Sequence, residues 1–130
     1  MQAVKGKNTS LEKKVAAAFC KRGWRYRRNY APLPGKPDFA FTKAKVAVFV
    51  DGDFWHGWRY PAWKHKLSPY WQAKIERNRW RDRRNFRKLR RLGWTVVRIW
   101  GHDVARRLDE AVDRVGEALG SPGLPPNHCP

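Results

Sequence analysis

Apolar residues recur at every third or fourth position in three stretches of this chain, and this is the period of an amphipathic helix. After a short basic arm at residues 1 to 8, the first stretch predicts a helix at about residues 9 to 22, which Gly23 ends. The second stretch predicts a long helix at about residues 70 to 92. The third predicts a closing helix, marked by apolar positions between residues 104 and 119.

Shorter runs without a helical period lie between these helices. Residues 24 to 30 alternate aromatic and polar side chains, as a half-buried strand does. Further strands are predicted at about residues 37 to 42, 45 to 50 and 94 to 100. The run VAVFV is apolar throughout, which is typical of a strand covered on both faces. Residues 51 to 69 show no clear period and predict a long functional loop.

The elements follow the order αβββαβα, which predicts an α/β fold with a mixed central β-sheet flanked by helices. A right-handed helical crossover would place the strand at 94 to 100 beside the strand at 45 to 50. The length of 130 residues and the lack of a linker favour one domain, at residues 1 to 120. Residues 121 to 130 are rich in proline and predict a disordered tail.

The charge balance favours a polyanionic partner. The chain has 29 Lys and Arg against 11 Asp and Glu, a formal net charge of +18 and a pI near 10.8. Eight Trp and six Phe exceed the needs of a small core, and the surplus suits stacking on bases.

The composition also bears on location and redox state. There is neither a run of eighteen apolar residues nor a signal-peptide core, so we expect an intracellular protein of the cytoplasm or nucleoid that does not contact membranes. Cys20 and Cys129 are predicted to be free thiols. The sequence identifies no protein partner from repair or from a mobile element.

The long helix carries most of the expected DNA contacts. Residues 77 to 91 include eight arginines and one lysine, whose polar face should follow the phosphate backbone of double-stranded DNA, while some arginines only balance nearby acids. The candidate DNA-binding residues on this helix are Asn78, Arg79 and Arg83.

Acidic residues are scarce, so each one outside a solvated helix face is a candidate for chemistry. Five of the eleven lie in the C-terminal helical stretch, where solvated salt bridges explain them. The remaining six are Glu12, Asp38, Asp51, Asp53, Glu76 and Asp82.

Two of these acids should meet at the end of a hairpin. Asp38 begins one predicted strand and Asp51 follows the end of the next, so both could converge with the carbonyl of Val50. Oxygen ligands of this kind suit Mg²⁺. The alternative is that Pro37 and Asp38 only form a turn. His56 follows closely and could act as a general base or acid.

Two other acids lie on helices and remain ambiguous. Asp82 shares a stripe of the long helix with apolar residues, and an acid that faces a core is either paired or used in chemistry. An ordinary salt bridge to an arginine explains it equally well. Glu12 lies on the flank of an apolar face, where a structural ion pair is also sufficient.

Several segments together resemble one family. GKNT ahead of Glu12, then LPGKPDF, VAVFVDGDFWHG and GWTVVRIW, with Trp71, Asn78 and Asp82 at intervals of seven and four, closely resemble the Vsr (very-short-patch-repair) endonucleases over about residues 5 to 102. This resemblance implies the PD-(D/E)XK nuclease fold and a site shared with the Vsr-like EDxHD homing endonucleases. It places the five site positions, in order, at Glu12, Asp38, Asp51, His56 and Asp82.

The resemblance implies Mg²⁺-dependent hydrolysis of a DNA phosphodiester. Asp38 and the Val50 carbonyl would hold the metal, with Asp51 and Glu12 anchoring further metal waters or the leaving side. His56 would activate the attacking water, and Asp82 would orient His56 or a metal-bound water. The resemblance also implies a wedge beside a T:G mismatch, although core packing is the alternative. The wedge residues would be Phe54, Trp55 and Trp71.

One part of the family pattern is missing. The cysteines that bind a structural zinc in the family fall at the positions of Asp53, Trp58 and His102. We expect no structural zinc, although Asp53, His65 and His102 offer oxygen and nitrogen ligands. Instead, Asp53 should pair with His102 or an arginine, and Trp58 should fill the vacated volume. The change bears on T:G specificity, because this loop shapes the recognition surface.

Three functions remain open. The first is a Vsr-like endonuclease or nickase acting on duplex DNA, and the acid and histidine set favours it. The second is a homing or mobile-element endonuclease that cuts fully paired sites. The third is a catalytically silent nucleic-acid-binding module, for which charge and aromatic residues suffice.

Overall fold

The computed structural model describes residues 9 to 54 and 56 to 120. The basic arm expected at residues 1 to 8, the wedge residue Trp55 and the tail expected at residues 121 to 130 lie outside the described residues. The helices are α1 (Thr9–Lys21), α2 (Tyr60–Trp63), α3 (Pro69–Arg91), α4 (Gly101–Arg106) and α5 (Leu108–Leu119), with a 3-10 turn at Lys64–Lys66. The strands are β1 (Arg27–Arg28), β2 (Phe39–Phe41), β3 (Val46–Asp51) and β4 (Thr95–Trp100).

These strands form one sheet in the order β1-β2-β3-β4. β1 and β2 pair antiparallel, as do β2 and β3, whereas β3 and β4 pair parallel. The predicted α/β fold with a mixed sheet flanked by helices is confirmed, including the position of β4 beside β3.

Both faces of the sheet are covered. β3 is buried along its whole length and is apolar at every position before its last residue, so its side chains need packing partners on both faces. Val46, Val48 and Val50 contribute to a core with residues of α1 and α5. Ala47 and Phe49 point the other way, into a smaller core with residues of α3. Because side chains alternate along a strand, Asp51 continues the second set and faces α3.

Much of the aromatic surplus is used in the larger core. The Phe19 ring lies 5.0 to 5.8 Å from the rings of Trp24, Tyr26, Phe39 and Phe41. Tilted and edge-to-face rings at this spacing stabilise a core beyond their buried area. These aromatic residues are therefore not available to stack on bases.

Three sequence predictions need correction. The stretch at residues 51 to 69 is not an uninterrupted loop, since it contains α2 and the 3-10 turn, which are too short to show a period. The predicted closing helix is two helices, because the backbone of Arg107 leaves the helical conformation at φ −140° and ψ 43°. β1 is limited to two residues within the predicted strand at 24 to 30. No helix in the described part of the chain has the length and apolar character to cross a membrane.

Candidate active site

Three side chains from separate elements meet at the end of β3. Asp51 is the last residue of that strand, His56 lies in the turn after it, and Asp82 comes from the middle of α3. Each offers one possible ligand atom, and the three atoms lie within 4.8 Å of one another. The acid and histidine pattern in the sequence predicted all three residues, and the structure brings them together.

A tight turn brings His56 back to the strand end. The N–H of His56 donates to the carbonyl of Gly52 over 3.2 Å, and the N–H of Gly57 donates to the carbonyl of Phe54 over 3.2 Å. Gly57 has a φ of +70°, and a Cβ there would lie 2.7 Å from Cδ of Arg79. The turn therefore needs glycine directly after the histidine.

One hydrogen bond and one ion-pair contact hold the imidazole between the two acids. Nδ1 of His56 lies 2.8 Å from Oδ2 of Asp82. Nε2 lies 3.4 Å from Oδ1 of Asp51 on its other side. An Nδ1–H donated to Asp82 leaves Nε2 as the nitrogen that can accept a proton.

Arg98 also belongs to this group, although it was not among the residues predicted from the sequence. Its Nε donates to Oδ2 of Asp51 over 2.6 Å, and its Nη2 donates to Oδ2 of Asp82. The arginine salt bridge considered for Asp82 is therefore present, together with the bond to His56. One signal was available, since Arg98 alternates with buried Val97 and Ile99 and so faces α3.

The surroundings raise the pKa values of two groups in the site, Asp51 and His56. Burial raises the pKa of the Asp51 carboxyl group and outweighs the nearby positive charges of His56 and Arg98. Burial alone would lower the pKa of His56, but the hydrogen bond that its ring donates to Asp82 and the charges of Asp51 and Asp82 raise it overall. The two acids therefore make the His56 imidazole easier to protonate than an ordinary histidine.

Asp38 lies next to this group but outside the set of three. Its Oδ2 accepts a hydrogen bond from the N–H of Val50 over 2.7 Å. The side chain thereby continues the β2 to β3 pairing by one position. Because the N–H and C=O of a strand residue point to the same neighbour, the Val50 carbonyl also faces the Asp38 side.

Glu12 is placed differently. Its side chain is buried, and Oε1 accepts a hydrogen bond from Nη2 of Arg28 over 3.1 Å. This is the structural ion pair considered from the sequence. The group of three formed by Asp51, His56 and Asp82 does not include it.

The expected pairing of Asp53 with His102 is present, and Trp58 contacts the same histidine. Oδ1 of Asp53 lies 3.0 Å from Nδ1 of His102, and the rings of Trp58 and His102 are 4.1 Å apart. These contacts join the turn after β3 to the start of α4. His65 is exposed in the 3-10 turn, and within residues 9 to 54 and 56 to 120 it forms no three-residue ligand group with Asp53 and His102.

Three aromatic side chains form a partly exposed cluster that begins two residues before His56. Phe54 is 41% exposed, stacks on Trp63 at 5.7 Å and meets the edge of Trp71 at 5.9 Å. Trp63 was not among the candidates predicted from the sequence, because α2 was not recognised there. Phe54 and Trp71, the two wedge candidates that the structure describes, are thus in contact. Phe54 precedes His56 by two residues, and Trp71 lies on α3, the helix that carries Asp82.

Two of the three residues on α3 that are expected to contact DNA line an open groove. Arg79 and Arg83 line it together with Tyr60 and Lys64, and the guanidinium of Arg79 lies 5.2 Å from the Tyr60 ring. Asn78 is half-buried on the same helix and accepts a hydrogen bond from Arg81.

The acid Glu76, also in this groove, has a structural role. It accepts hydrogen bonds of 2.9 Å from the Tyr60 hydroxyl and from Lys64. The Lys64 bond is the main reason that the pKa of Glu76 is lowered. These contacts tie α2 and the 3-10 turn to α3, so Glu76 supports the loop that carries the aromatic cluster.

Comparisons with known proteins agree with the geometry. A family model described as DNA mismatch endonuclease Vsr matches residues 1 to 61. The Type II nicking enzyme V.NmeDIP of Neisseria meningitidis serogroup C is 43% identical over 122 residues, covering 92% of this chain and 82% of that protein. V.HpaIIP of Haemophilus parainfluenzae, also named a Type II nicking enzyme, is 37% identical, with 88% and 84% covered. The DNA mismatch endonuclease Vsr of Escherichia coli is 34% identical, with 77% and 65% covered.

Proposed function

This chain belongs to the Vsr family of DNA endonucleases, and we propose that it nicks one strand of duplex DNA at T:G mismatches with the help of Mg²⁺. One observation carries the proposal: His56 is held by Asp82 over 2.8 Å at the end of β3, within 4.8 Å of a second acid, Asp51. The names of the relatives support nicking of one strand and a mismatched substrate.

The donor set at the end of β3 fits a hard divalent cation. Asp38 and Asp51 supply carboxylate oxygens, and the Val50 carbonyl faces the Asp38 side of the strand. These residues would hold Mg²⁺, with His56 and Asp82 close by. A bound Mg²⁺ would polarise the scissile phosphate and stabilise charge on its oxygens. Glu12 would act from farther away, since it is paired with Arg28.

The imidazole provides the proton acceptor for the reaction. When His56 is neutral and keeps its proton on Nδ1, Asp82 accepts that N–H and fixes the ring. Nε2 then carries a lone pair that can take a proton from the attacking water. The resulting imidazolium is stabilised by Asp82 at 2.8 Å and by Asp51 at 3.4 Å.

The surface around the site suits a distorted duplex. Phe54, Trp63 and Trp71 form an aromatic surface that could insert beside a mismatched pair, where stacking is already weak. The groove lined by Arg79 and Arg83 would follow the phosphate backbone.

A strand-resolved cleavage assay tests this function. Duplexes that differ only in one T:G or T:A pair carry a different label on each strand and are incubated with Mg²⁺ or with a chelator. We expect Mg²⁺-dependent cutting of one strand, faster at T:G. Cutting that survives chelation would contradict the mechanism, and cutting of both strands would contradict nicking. Equal cutting of T:G and T:A would instead select a paired-site endonuclease, and binding without cutting would select the silent module.

Asp38→Asn provides the matched test of the metal ligands. Asparagine keeps an oxygen that can accept the Val50 N–H but loses the negative charge that a cation needs. We expect the nicking rate to fall by roughly 100-fold or more. The control is Asp109→Asn, since Asp109 is exposed on α5. Equal rates for the two variants would reject Asp38 as a metal ligand.

A further inference from the structure

A positively charged side chain lies between the two acids of the site. Arg98 donates to Asp51 through Nε over 2.6 Å and to Asp82 through Nη2. Its guanidinium carbon also lies 4.2 Å from the centre of the Trp100 ring and 5.1 Å from that of Phe86. Two carboxylates and two aromatic rings therefore determine where this guanidinium sits.

The acids need a cation in this position. Asp51 and Asp82 both approach His56, so their negative charges are close to each other. Asp51 is only 5% exposed, which leaves little water to screen that repulsion. A fixed positive charge that bonds both carboxylates offsets the repulsion and holds their oxygens at one spacing.

Arginine suits this position because of its shape. The N–H groups of a guanidinium lie in one plane and can donate to two acids at once, whereas a lysine ammonium is a compact point charge. The strand directs the side chain to the site, since Arg98 alternates with the buried residues Val97 and Ile99 on β4. The planar group can also stack on Trp100, which an ammonium does less well.

We infer that Arg98 is a positioning residue for the nicking reaction, an inference that rests on the proposed function. The guanidinium holds Asp51 and Asp82 at the spacing at which Asp82 orients His56. Because it is directed at the carboxylates, it acts through them and not through the phosphates of DNA. Its removal therefore slows the chemical step and leaves DNA affinity unchanged.

Arg98→Met tests the inference, since methionine keeps an unbranched apolar stem without the charge. We expect the single-turnover nicking rate to fall by roughly 100-fold, with the Kd for the same duplex and its salt dependence equal to wild type. The matched control is Arg22→Met. Arg22 likewise pairs with an acid, Asp113 at 2.7 Å, and its guanidinium lies 5.5 Å from the Trp24 ring. We expect wild-type nicking from this variant.

Two further variants separate positioning from a general loss of structure. Arg98→Lys keeps the charge but not the fork, so we expect a rate between those of wild type and Arg98→Met. The double variant Arg98→Met with Asp82→Asn should nick no more slowly than Asp82→Asn alone, because the two residues act as one unit. If thermal melting shows that Arg98→Met does not fold, the comparison of Arg98→Lys with Arg22→Lys decides the question in the same way.

Three outcomes would overturn the inference. The first is a nicking rate for the Arg98 variant equal to that of its Arg22 control. The second is independent effects of the two substitutions in the double variant. The third is weaker DNA binding with a smaller salt slope, which would make Arg98 a phosphate ligand. Failure of the proposed function is distinguishable, because wild-type protein would then not nick. If wild type nicks and Arg98→Met nicks equally well, only the inference fails.

Discussion

His56 is held between two carboxylates, and this position determines both its charge and the direction of its second nitrogen. Asp82 bonds Nδ1 at 2.8 Å, while Nε2 is directed toward Asp51 at 3.4 Å. The arrangement stabilises the protonated ring, because it raises the pKa of His56. Stability and activity should therefore respond to pH in opposite directions around the pKa of His56.

In the presence of a chelator, folding stability should fall as pH rises above the ordinary histidine pKa of 6.5. The pKa of His56 is raised in the folded protein, so the folded state binds the proton more tightly than the unfolded chain. That stabilisation is complete below the unfolded pKa and is lost as pH rises through the folded pKa. The raised pKa of Asp51 acts in the same direction at lower pH.

Thermal melting from about pH 6 to 8 measures this effect. His56→Gln should remove the part of the pH dependence that the histidine causes, so the difference in Tm between wild type and variant should shrink toward high pH. A difference that stays constant across the range would show that His56 is not stabilised in its protonated form.

The sequence predicted some residues of the site better than others. Scarcity of acids in a basic chain pointed to Asp51 and Asp82, and the position of His56 shortly after Asp51 pointed to the histidine; the family resemblance then placed all three in one site. Arg98 was missed because its place depends on the register of β4 against β3 and on which face α3 turns to the sheet. Alternation along β4 could indicate the face on which Arg98 lies, but its contact with the two acids depends on these long-range features.

Long helices, in which the helical period repeats several times, were predicted closely, whereas short elements were not. The expected helices at 9 to 22 and 70 to 92 correspond to Thr9–Lys21 and Pro69–Arg91. A helix of four residues such as α2 covers about one turn, so no period can reveal it. The place of Trp63 in the aromatic cluster could therefore not be predicted from the sequence.

The apolar stripe of α3 fixes Asp82 at the sheet, and Leu89 tests this packing. Leu89 is fully buried against Ala47 and Phe49 of β3, so Leu89→Ala should lower the free energy of unfolding by about 2 to 5 kcal/mol. Leu92 is 55% exposed, and Leu92→Ala should cost less than about 0.5 kcal/mol. Urea unfolding measures both, and similar losses would contradict the assigned face of α3.

On the scale of the whole molecule, the sheet separates two sides with different roles. α1 and α5 pack on one face and complete the larger core, whereas α3 covers the other face and carries eight arginines, seven of them exposed. The candidate active-site group of Asp51, His56 and Asp82 lies at the end of β3 on the α3 side. The charge of +18 could be read from the composition, but its distribution over the two sides required the fold.

This asymmetry predicts which arginines bind phosphate. Arg83 is exposed in the groove on α3, so Arg83→Ala should weaken DNA binding and reduce the slope of log Kd against log salt concentration by about 1. Arg22 lies on the α1 side and pairs with Asp113, so Arg22→Ala should leave the slope unchanged. Fluorescence anisotropy over a salt series measures both, and equal slopes for the two variants would refute this placement of the DNA.

The single-turnover nicking rate of His56→Gln with Mg²⁺ on a T:G duplex tests the catalytic centre most directly. The variant keeps a polar side chain but cannot accept a proton from water at neutral pH. If Asp51, His56 and Asp82 form the catalytic group, the rate should fall by about 10²- to 10⁴-fold while DNA affinity stays at the wild-type value. A rate within about twofold of wild type would contradict the account.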